Sequence, residues 1–159
     1  MEYAVIFLPL AGSILSYFGK SLGNLFSQLI SCLFVSISAF LSIAIFYNGY
    51  VNDIYGNYII FNWISSGSFD VNWSINIDPL SSVMLVIVTS ISSLVHIYSI
   101  GYMSSDPHKP RFMSYLSLFT FAMLCLVVSD NFLQLFFGWE GVGLCSYLLI
   151  GFWLSLIHI

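Results

Sequence analysis

The amino-acid sequence predicts an all-α membrane protein of about five transmembrane helices, with a β-hairpin in the loop between the second and third helices. The prediction rests on composition and on long apolar segments: of 159 residues, 59% are hydrophobic and only 6% are charged. Soluble domains carry about 25% charged residues. Three Lys/Arg and seven Asp/Glu could not cover a soluble fold of this length, so the surrounding solvent is expected to be mostly lipid.

The length and the charge balance exclude other classes of protein. A chain of this length leaves room for one domain, and we expect residues 1–159 to form a single membrane domain. The formal net charge of -4 argues against nucleic acid as a partner, because nucleic-acid binding needs a basic surface. Glu2 precedes the first apolar segment and Lys20 follows it, which is the reverse of a signal peptide. We therefore expect this segment to remain as a spanning helix.

Each predicted helix is an apolar segment close to the length that crosses a bilayer, about 20 residues. The five segments are Tyr3–Gly19, Leu22–Tyr47, Pro79–Met103, Phe112–Val128 and Asn131–Trp153. Asp78 marks the start of the third helix, because aspartate caps helices well and the proline that follows is tolerated at the first helical position. The segment from Ser104 to Arg111 is predicted to be a loop, since prolines, charged residues and a histidine interrupt the apolar pattern.

The stretch between the second and third helices is too polar for a further span. Its last part, FDVNWSINI, alternates apolar and polar residues from Phe69 to Ile77, and a period of two is typical of a β-strand. A glycine-containing turn at Ser65–Ser68 would connect this strand to the preceding YIIFNWI segment. The pattern therefore predicts a β-hairpin.

The basic residues predict the orientation in the membrane. Lys20 follows the first helix, and Lys109 and Arg111 follow the third, so with five helices all three lie on one side. By the positive-inside rule this is the cytoplasmic or matrix side. The N-terminus and the hairpin are then expected on the outer side, which is periplasmic or faces the intermembrane space.

Small polar residues define one face on each of the second and third helices. The serines of the second helix favour close helix packing rather than a ligand site; they are Ser27, Ser31, Ser38 and Ser42. The third helix carries a polar stripe formed by Thr89, Ser92, His96, Ser99 and Met103. His96 lies well inside the span, where a histidine is either a hydrogen-bonded packing residue or a proton relay.

The three cysteines lie inside apolar segments and form no CxxC pair. We expect Cys32, Cys125 and Cys145 to be buried thiols that act as small hydrophobic side chains. The pattern indicates neither a disulfide framework nor a metal site.

Glu140 is the strongest candidate for a functional residue, because it is the only charged residue well inside any predicted span. A charge at the bilayer centre costs about 2.5–3.5 kcal/mol on insertion scales, so we expect this carboxyl group to be protonated or paired with a cation from elsewhere. Either state can take up or release a proton; a structural hydrogen bond to a nearby Ser or Tyr is the alternative. Gly138, Gly141 and Gly143 surround Glu140 and would admit water or a neighbouring backbone.

Two segments resemble a known family. They are DPLSSVMLVIVTSISSLVHIYSIGYM at residues 78–103 and SDNFLQLFFGWEGVGLCSYLLIGFW at residues 129–153. Both are similar to the antiporter-like subunit 5 of respiratory complex I, called chain L in bacteria. The N-terminal FLPLAGSILSYFG also fits the first helix of that family, so the resemblance covers nearly the whole chain. Multisubunit sodium/proton antiporters share this ancestry and are a close alternative.

The resemblance implies a proton-translocating membrane-arm subunit of NADH:quinone oxidoreductase. Such a subunit has no redox centre or cofactor, because NADH, flavin, iron–sulfur clusters and quinone are bound by other subunits. Its implied partners are the lipid bilayer and the other membrane-arm subunits, in a bacterial plasma membrane or the mitochondrial inner membrane. Glu140 falls on the family's fifth-helix glutamate, which pairs with a lysine on a later helix, and His96 matches a family histidine.

The chain departs from the family in its length. Family members are several times longer, the partner lysine lies beyond residue 159, and the ending LSLIHI leaves the family pattern. We therefore predict an N-terminal fragment that needs the missing remainder of the subunit and cannot pump protons alone. A non-catalytic membrane fragment or the product of a pseudogene is the alternative.

Overall fold

The computed structural model describes residues 1–19, 23–67 and 69–157, with side chains as far as Phe152. The elements in chain order are α1 (Glu2–Phe18), α2 (Asn24–Asn52), β1 (Gly56–Ser66), β2 (Phe69–Ile77), α3 (Pro79–Tyr102), α4 (Lys109–Val127) and α5 (Phe132–Ile157). Within these ranges, four helices, α2 to α5, are long and apolar enough to cross a membrane, and α1 is a shorter apolar helix of 17 residues. The predicted helical membrane fold, with a hairpin between the second and third helices, is confirmed.

Three predicted helix boundaries are wrong, and one of them is the end of α5, which continues past Trp153 to Ile157. α2 continues past Tyr47 to Asn52 and ends where Asp53 adopts a left-handed conformation with φ of 49°. α4 begins at Lys109, so Lys109 to Arg111 form its first turn rather than the end of a loop. Proline in this turn is compatible with the helix, because the first N–H groups of a helix have no intrahelical partner.

α4 lies at the centre of the bundle and contacts each of the other four helices. α1 also packs against α2, and α2 packs against α3. α5 lies at the edge, since α4 is its only extensive neighbour among the described elements. One side of α5 is therefore open.

The interior of the bundle contains many hydroxyl groups beside an apolar core, whereas its exterior is formed by large apolar side chains. Six serines on α1, α2 and α4 are completely buried: Ser16, Ser27, Ser31, Ser38, Ser42 and Ser117. The exterior carries exposed leucine, phenylalanine and isoleucine, such as Leu25, Phe40 and Ile150. Lipid favours this arrangement, because small residues let helices approach closely and apolar surface is stable in hydrocarbon. The predicted packing role of the α2 serine face is consistent with these contacts.

One of these serines compensates for a proline. Pro9 lies inside α1 and has no N–H to donate to the carbonyl four residues earlier. That carbonyl belongs to Val5, and Ser38 Oγ of α2 donates a hydrogen bond to its oxygen at 2.6 Å. The helix therefore keeps this buried carbonyl satisfied through a contact with its neighbour.

The hairpin pairs β1 with β2 in antiparallel register, and Gly67 adopts a φ of 63° in the turn. The apolar face of β2 is only partly buried, since Val71, Ile75 and Ile77 are inside but Phe69 is exposed. Gln134 of α5 fixes the other edge of β2. Its side chain accepts a hydrogen bond from Ser74 N at 3.2 Å and donates one to Ser74 O at 2.7 Å.

The two ends of the bundle carry different charges. The hairpin end, which also holds the N-terminus, has Asp53, Asp70, Asp78 and Asp130. The opposite end carries the first turn of α4 and is here called the Lys109 end. Lys109 and Arg111 share it as predicted, whereas Lys20 lies outside the described residues.

Candidate functional site

His96 is completely buried between α3 and α4 and uses both ring nitrogens. Nδ1 lies 2.7 Å from the carbonyl oxygen of Ser92, one turn earlier on α3. Nε2 lies 3.0 Å from Oγ of Ser117 on α4. A carbonyl oxygen can only accept, so Nδ1 carries the proton, and neutral His96 therefore accepts from Ser117 at Nε2.

Hydroxyl groups extend this contact in both directions. Ser117 Oγ lies 2.6 Å from Ser31 Oγ on α2, and Ser92 Oγ lies 2.5 Å from Thr120 Oγ1 on α4. Ser92 Oγ is also 3.4 Å from His96 Nδ1. The five side chains Ser31, Ser117, His96, Ser92 and Thr120 are called here the hydroxyl–imidazole chain. They connect three helices through side-chain contacts alone.

Four of the five residues in the predicted stripe are buried. Thr89, His96, Ser99 and Met103 are at most 3% exposed, and Ser92 is half-buried. Thr89 Oγ1 contacts Ser42 Oγ of α2 at 2.7 Å, which places the serine face of α2 against this stripe. Helical spacing thus identified the α3 members correctly.

Glu140 lies in the middle of α5 but is exposed on its open side. Leu144 and Tyr147 continue this face and are 60% and 74% exposed. Among the described residues, Glu140 has no hydrogen bond or ion pair, so the alternative of a structural bond to Ser or Tyr is not found there. The structure does not bring Glu140 and His96 into one hydrogen-bond network.

The glycines near Glu140 have two different environments. A Cβ at Gly138 would lie 2.7 Å from the backbone N and Cα of Leu126, and one at Gly141 would lie 3.1 Å from the Ala122 Cβ. These two glycines therefore allow α5 to contact α4 closely. Gly143 faces open space on the other side of the helix. The predicted close approach of a backbone is found at Gly138.

Sequence reasoning missed the α4 members of the site, Ser117 and Thr120. Together with Ser114 they recur every three residues along α4, which places them near one face of that helix. This spacing was the available signal. Cys32, Cys125 and Cys145 are all buried free thiols, as predicted.

Apolar helices of spanning length, a lipid-compatible exterior and an interior of hydroxyl groups define a multi-pass helical membrane protein. Residues 63–113 match the family model described as NADH-Ubiquinone oxidoreductase (complex I), chain 5 N-terminus.

Individual relatives extend this likeness to nearly the whole chain. NADH-ubiquinone oxidoreductase chain 5 of Arabidopsis thaliana is 54% identical over 156 residues, which are 98% of this chain and 23% of the relative. NADH-quinone oxidoreductase subunit L of Rickettsia felis is 54% identical over 95% of this chain and 24% of its own length. The chain spans about a quarter of these relatives. The resemblance predicted from the two segments is confirmed: this chain is similar to the N-terminal part of complex I chain 5.

A relative from Neurospora crassa carries a different description, probable intron-encoded endonuclease 4. It is 50% identical over 158 residues, which are 29% of its length. Chain 5 of the same organism matches equally well, at 50% over 158 residues. The matched segment is thus the apolar one that this chain shares with chain 5.

Proposed function

We propose that this chain forms the N-terminal part of a proton-translocating membrane-arm subunit of NADH:quinone oxidoreductase. The observation that carries the proposal is an acidic side chain, Glu140, in the middle of a spanning helix and on a face that no described element covers. The likeness to chain 5 over 98% of the chain supports the same function.

The open face of α5 needs a partner that brings a cation. An ionised carboxylate in the bilayer centre costs about 2.5–3.5 kcal/mol, and this cost favours pairing with a positive charge or uptake of a proton. Lys109 and Arg111, the basic side chains among the described residues, lie at the end of the bundle. The remaining part of the longer subunit is the proposed source of the cation. Glu140 would load and unload a proton as that cation approaches and departs.

In this proposal, other subunits of the complex carry out the redox chemistry. NADH oxidation, flavin, iron–sulfur clusters and quinone would belong to those subunits, and this segment would contribute only proton-transfer groups. Moving one charge against 100 mV requires about 2.3 kcal/mol. That energy would come from electron transfer through changes in the pairing of buried charges. By itself the chain is expected to show no Glu140-dependent proton flux in reconstituted vesicles.

The proposed membrane is the bacterial plasma membrane or the mitochondrial inner membrane. The Lys109 end would face the cytoplasm or matrix, because its basic side chains follow the positive-inside rule. The hairpin end and the N-terminus would then face the opposite side.

The test is Glu140→Gln in the complete subunit, assembled in its membrane complex. The amide has nearly the same shape but cannot carry a proton, so protons translocated per NADH oxidised should fall while NADH oxidation itself continues. Glu2→Gln at the N-terminus is the matched control and should keep the wild-type ratio. An unchanged ratio in the Glu140 variant would contradict the proposal. Sodium-dependent transport by the intact complex would favour a sodium/proton antiporter instead.

A further inference from the structure

We propose that the hydroxyl–imidazole chain conducts protons from the Lys109 end of the bundle to His96, with Ser31 and Ser117 as its relay groups. This inference rests on the proton-transport function proposed above. It assigns a route between α2, α3 and α4, in a different part of the bundle from the open face of α5.

The hydroxyl–imidazole chain can adopt two hydrogen-bond orders, which are two arrangements of donors and acceptors with the same heavy-atom positions. In the neutral order, Ser31 donates to Ser117 and Ser117 donates to His96 Nε2. When a proton arrives at Ser31, Ser31 passes its own proton to Ser117, and Ser117 passes its proton to Nε2. The resulting imidazolium donates to Ser117, and Ser117 donates to Ser31. Each hydroxyl oxygen again holds one proton, so the net change is one proton added to His96.

Ser31 has an acceptor for the second order. Its Oγ lies 3.4 Å from the carbonyl oxygen of Met113 on α4. In the neutral order Ser31 does not donate to this carbonyl oxygen, because its hydroxyl group donates to Ser117. After the transfer, Ser31 holds a proton that no longer points at Ser117 and can be directed to the Met113 carbonyl.

Gln28 marks the entry to the route. It is only 2% exposed, yet its Nε2 has no hydrogen-bond partner. Gln28 lies three residues before Ser31 on α2, so the two side chains lie on neighbouring positions of one helix face. A buried amide without a protein partner is normally satisfied by water. A water molecule bound by Gln28 would deliver the proton to Ser31.

Further hydroxyl groups lie between Gln28 and the Lys109 end. Ser27 Oγ contacts Ser16 Oγ at 2.7 Å, and Ser16 donates to the carbonyl oxygen of Pro110 at 3.3 Å. Pro110 belongs to the first turn of α4, beside Lys109 and Arg111. Ser16 therefore connects α2 to the first turn of α4 at this end of the bundle.

The opposite end of the hydroxyl–imidazole chain offers no such entry. Ser92 and Thr120 border a groove of about 350 Å³ between α3 and α4, whose other lining residues are all apolar. Apolar cavities hold no ordered water. Protons would therefore reach His96 from the Lys109 end rather than through this groove.

The test measures protons translocated per NADH oxidised by the assembled complex. Ser117→Ala should lower this ratio by the same fraction as His96→Gln. The double variant should lower the ratio no further than either single variant, because the two residues act in one path. Ser117→Thr restores the hydroxyl group and should recover the wild-type ratio. If Ser117→Ala does not assemble, Ser31→Ala should show the same loss and replaces it.

Ser114→Ala is the matched control. Ser114 is also a buried α4 serine with a side-chain hydrogen bond, to Ser13 at 3.1 Å, but it lies outside the hydroxyl–imidazole chain. It should keep the wild-type ratio. The route is wrong if Ser117→Ala pumps normally, or if Ser114→Ala loses as much as Ser117→Ala. A normal ratio in Glu140→Gln would instead overturn the proposed function, so the two failures are distinguishable.

Discussion

His96 and Glu140 both lie inside spanning helices, and the structure gives them opposite environments. His96 is fully buried, and both ring nitrogens have partners on α3 and α4. Glu140 is exposed on a helix that only α4 covers extensively among the described elements. α3 and α4 therefore satisfy the polar atoms of His96, whereas Glu140 on α5 has no hydrogen bond or ion pair among the described residues.

The two residues therefore differ in whether the surrounding helices provide partners for their polar atoms. A buried polar group with complete hydrogen bonds stabilises the arrangement that surrounds it. An intramembrane carboxylate without a partner adds nothing to the fold that contains it, and its cost is removed only by protonation or by a cation. Substitutions at the two sites should therefore differ in their effect on stability: a loss for His96 and none for Glu140.

The largest expected effect tests whether α5 depends on α4. Gly138→Ala places a Cβ 2.7 Å from the Leu126 backbone, so α4 and α5 must separate. We expect the free energy of unfolding in detergent to fall by about 3 kcal/mol, at the upper end for overpacking. Gly143→Ala, which meets open space on the same helix, should not lower it. Equal losses in both variants would mean that the α4–α5 contact is not close.

The second-largest expected effect compares substitutions at His96 and Glu140 directly. His96→Leu leaves the Ser117 hydroxyl and the Ser92 carbonyl without their buried partner, and should lower the free energy of unfolding by about 2 kcal/mol. Glu140→Leu removes no hydrogen bond or ion pair with the described residues and should leave the stability of the 159-residue chain unchanged. Denaturant titration of both variants measures this difference. A loss at Glu140 as large as that at His96 would show that Glu140 already has a partner.

A smaller effect concerns the start of α3, the helix that carries His96. Asp78 accepts a hydrogen bond from Ser81 N at 2.6 Å, and the hydrogen bonds from Ser81 lower the pKa of its carboxyl group. Asp78→Ala should reduce the free energy of unfolding by about 1 kcal/mol at neutral pH.

The pH dependence has a defined sign. The pKa of the Asp78 carboxyl group is lower in the folded state than in the unfolded state. Its contribution to the free energy of unfolding is therefore fully present above the unfolded pKa, and is lost as the pH falls through the folded pKa. Thermal unfolding from pH 7 to pH 3 should show this loss. Asp78→Asn, an equally good cap that does not titrate, should lack this component. Identical pH profiles for the wild type and the Asn variant would contradict the assignment.

The smallest effect concerns the serine that compensates for Pro9. Ser38→Ala removes the donor to the Val5 carbonyl and should lower the free energy of unfolding by about 0.6 kcal/mol, the average for membrane hydrogen bonds. Ser90→Ala on α3, where no hydrogen bond of the described residues is lost, is the control. In a Pro9→Ala background α1 can supply its own donor, so the Ser38 effect should shrink. If it does not, Ser38 contributes through packing instead.

Local patterns were sufficient where the controlling physics is local. The apolar lengths predicted the helices, the alternation from Phe69 to Ile77 predicted β2, and helical spacing predicted the buried stripe that contains His96. The Lys109 to Arg111 turn was predicted wrongly, because proline and charge are compatible with both a loop and the first turn of a helix.

By itself, the sequence determined the class of this protein, since a chain with 6% charged residues has to place its helices in lipid. Only the tertiary structure decided that Ser117 and Ser31 complete the contacts of His96, and that Glu140 faces away from them. The physical reason is that spacing along a helix fixes which side chains share a face. Which neighbour covers that face depends on how the helices pack together.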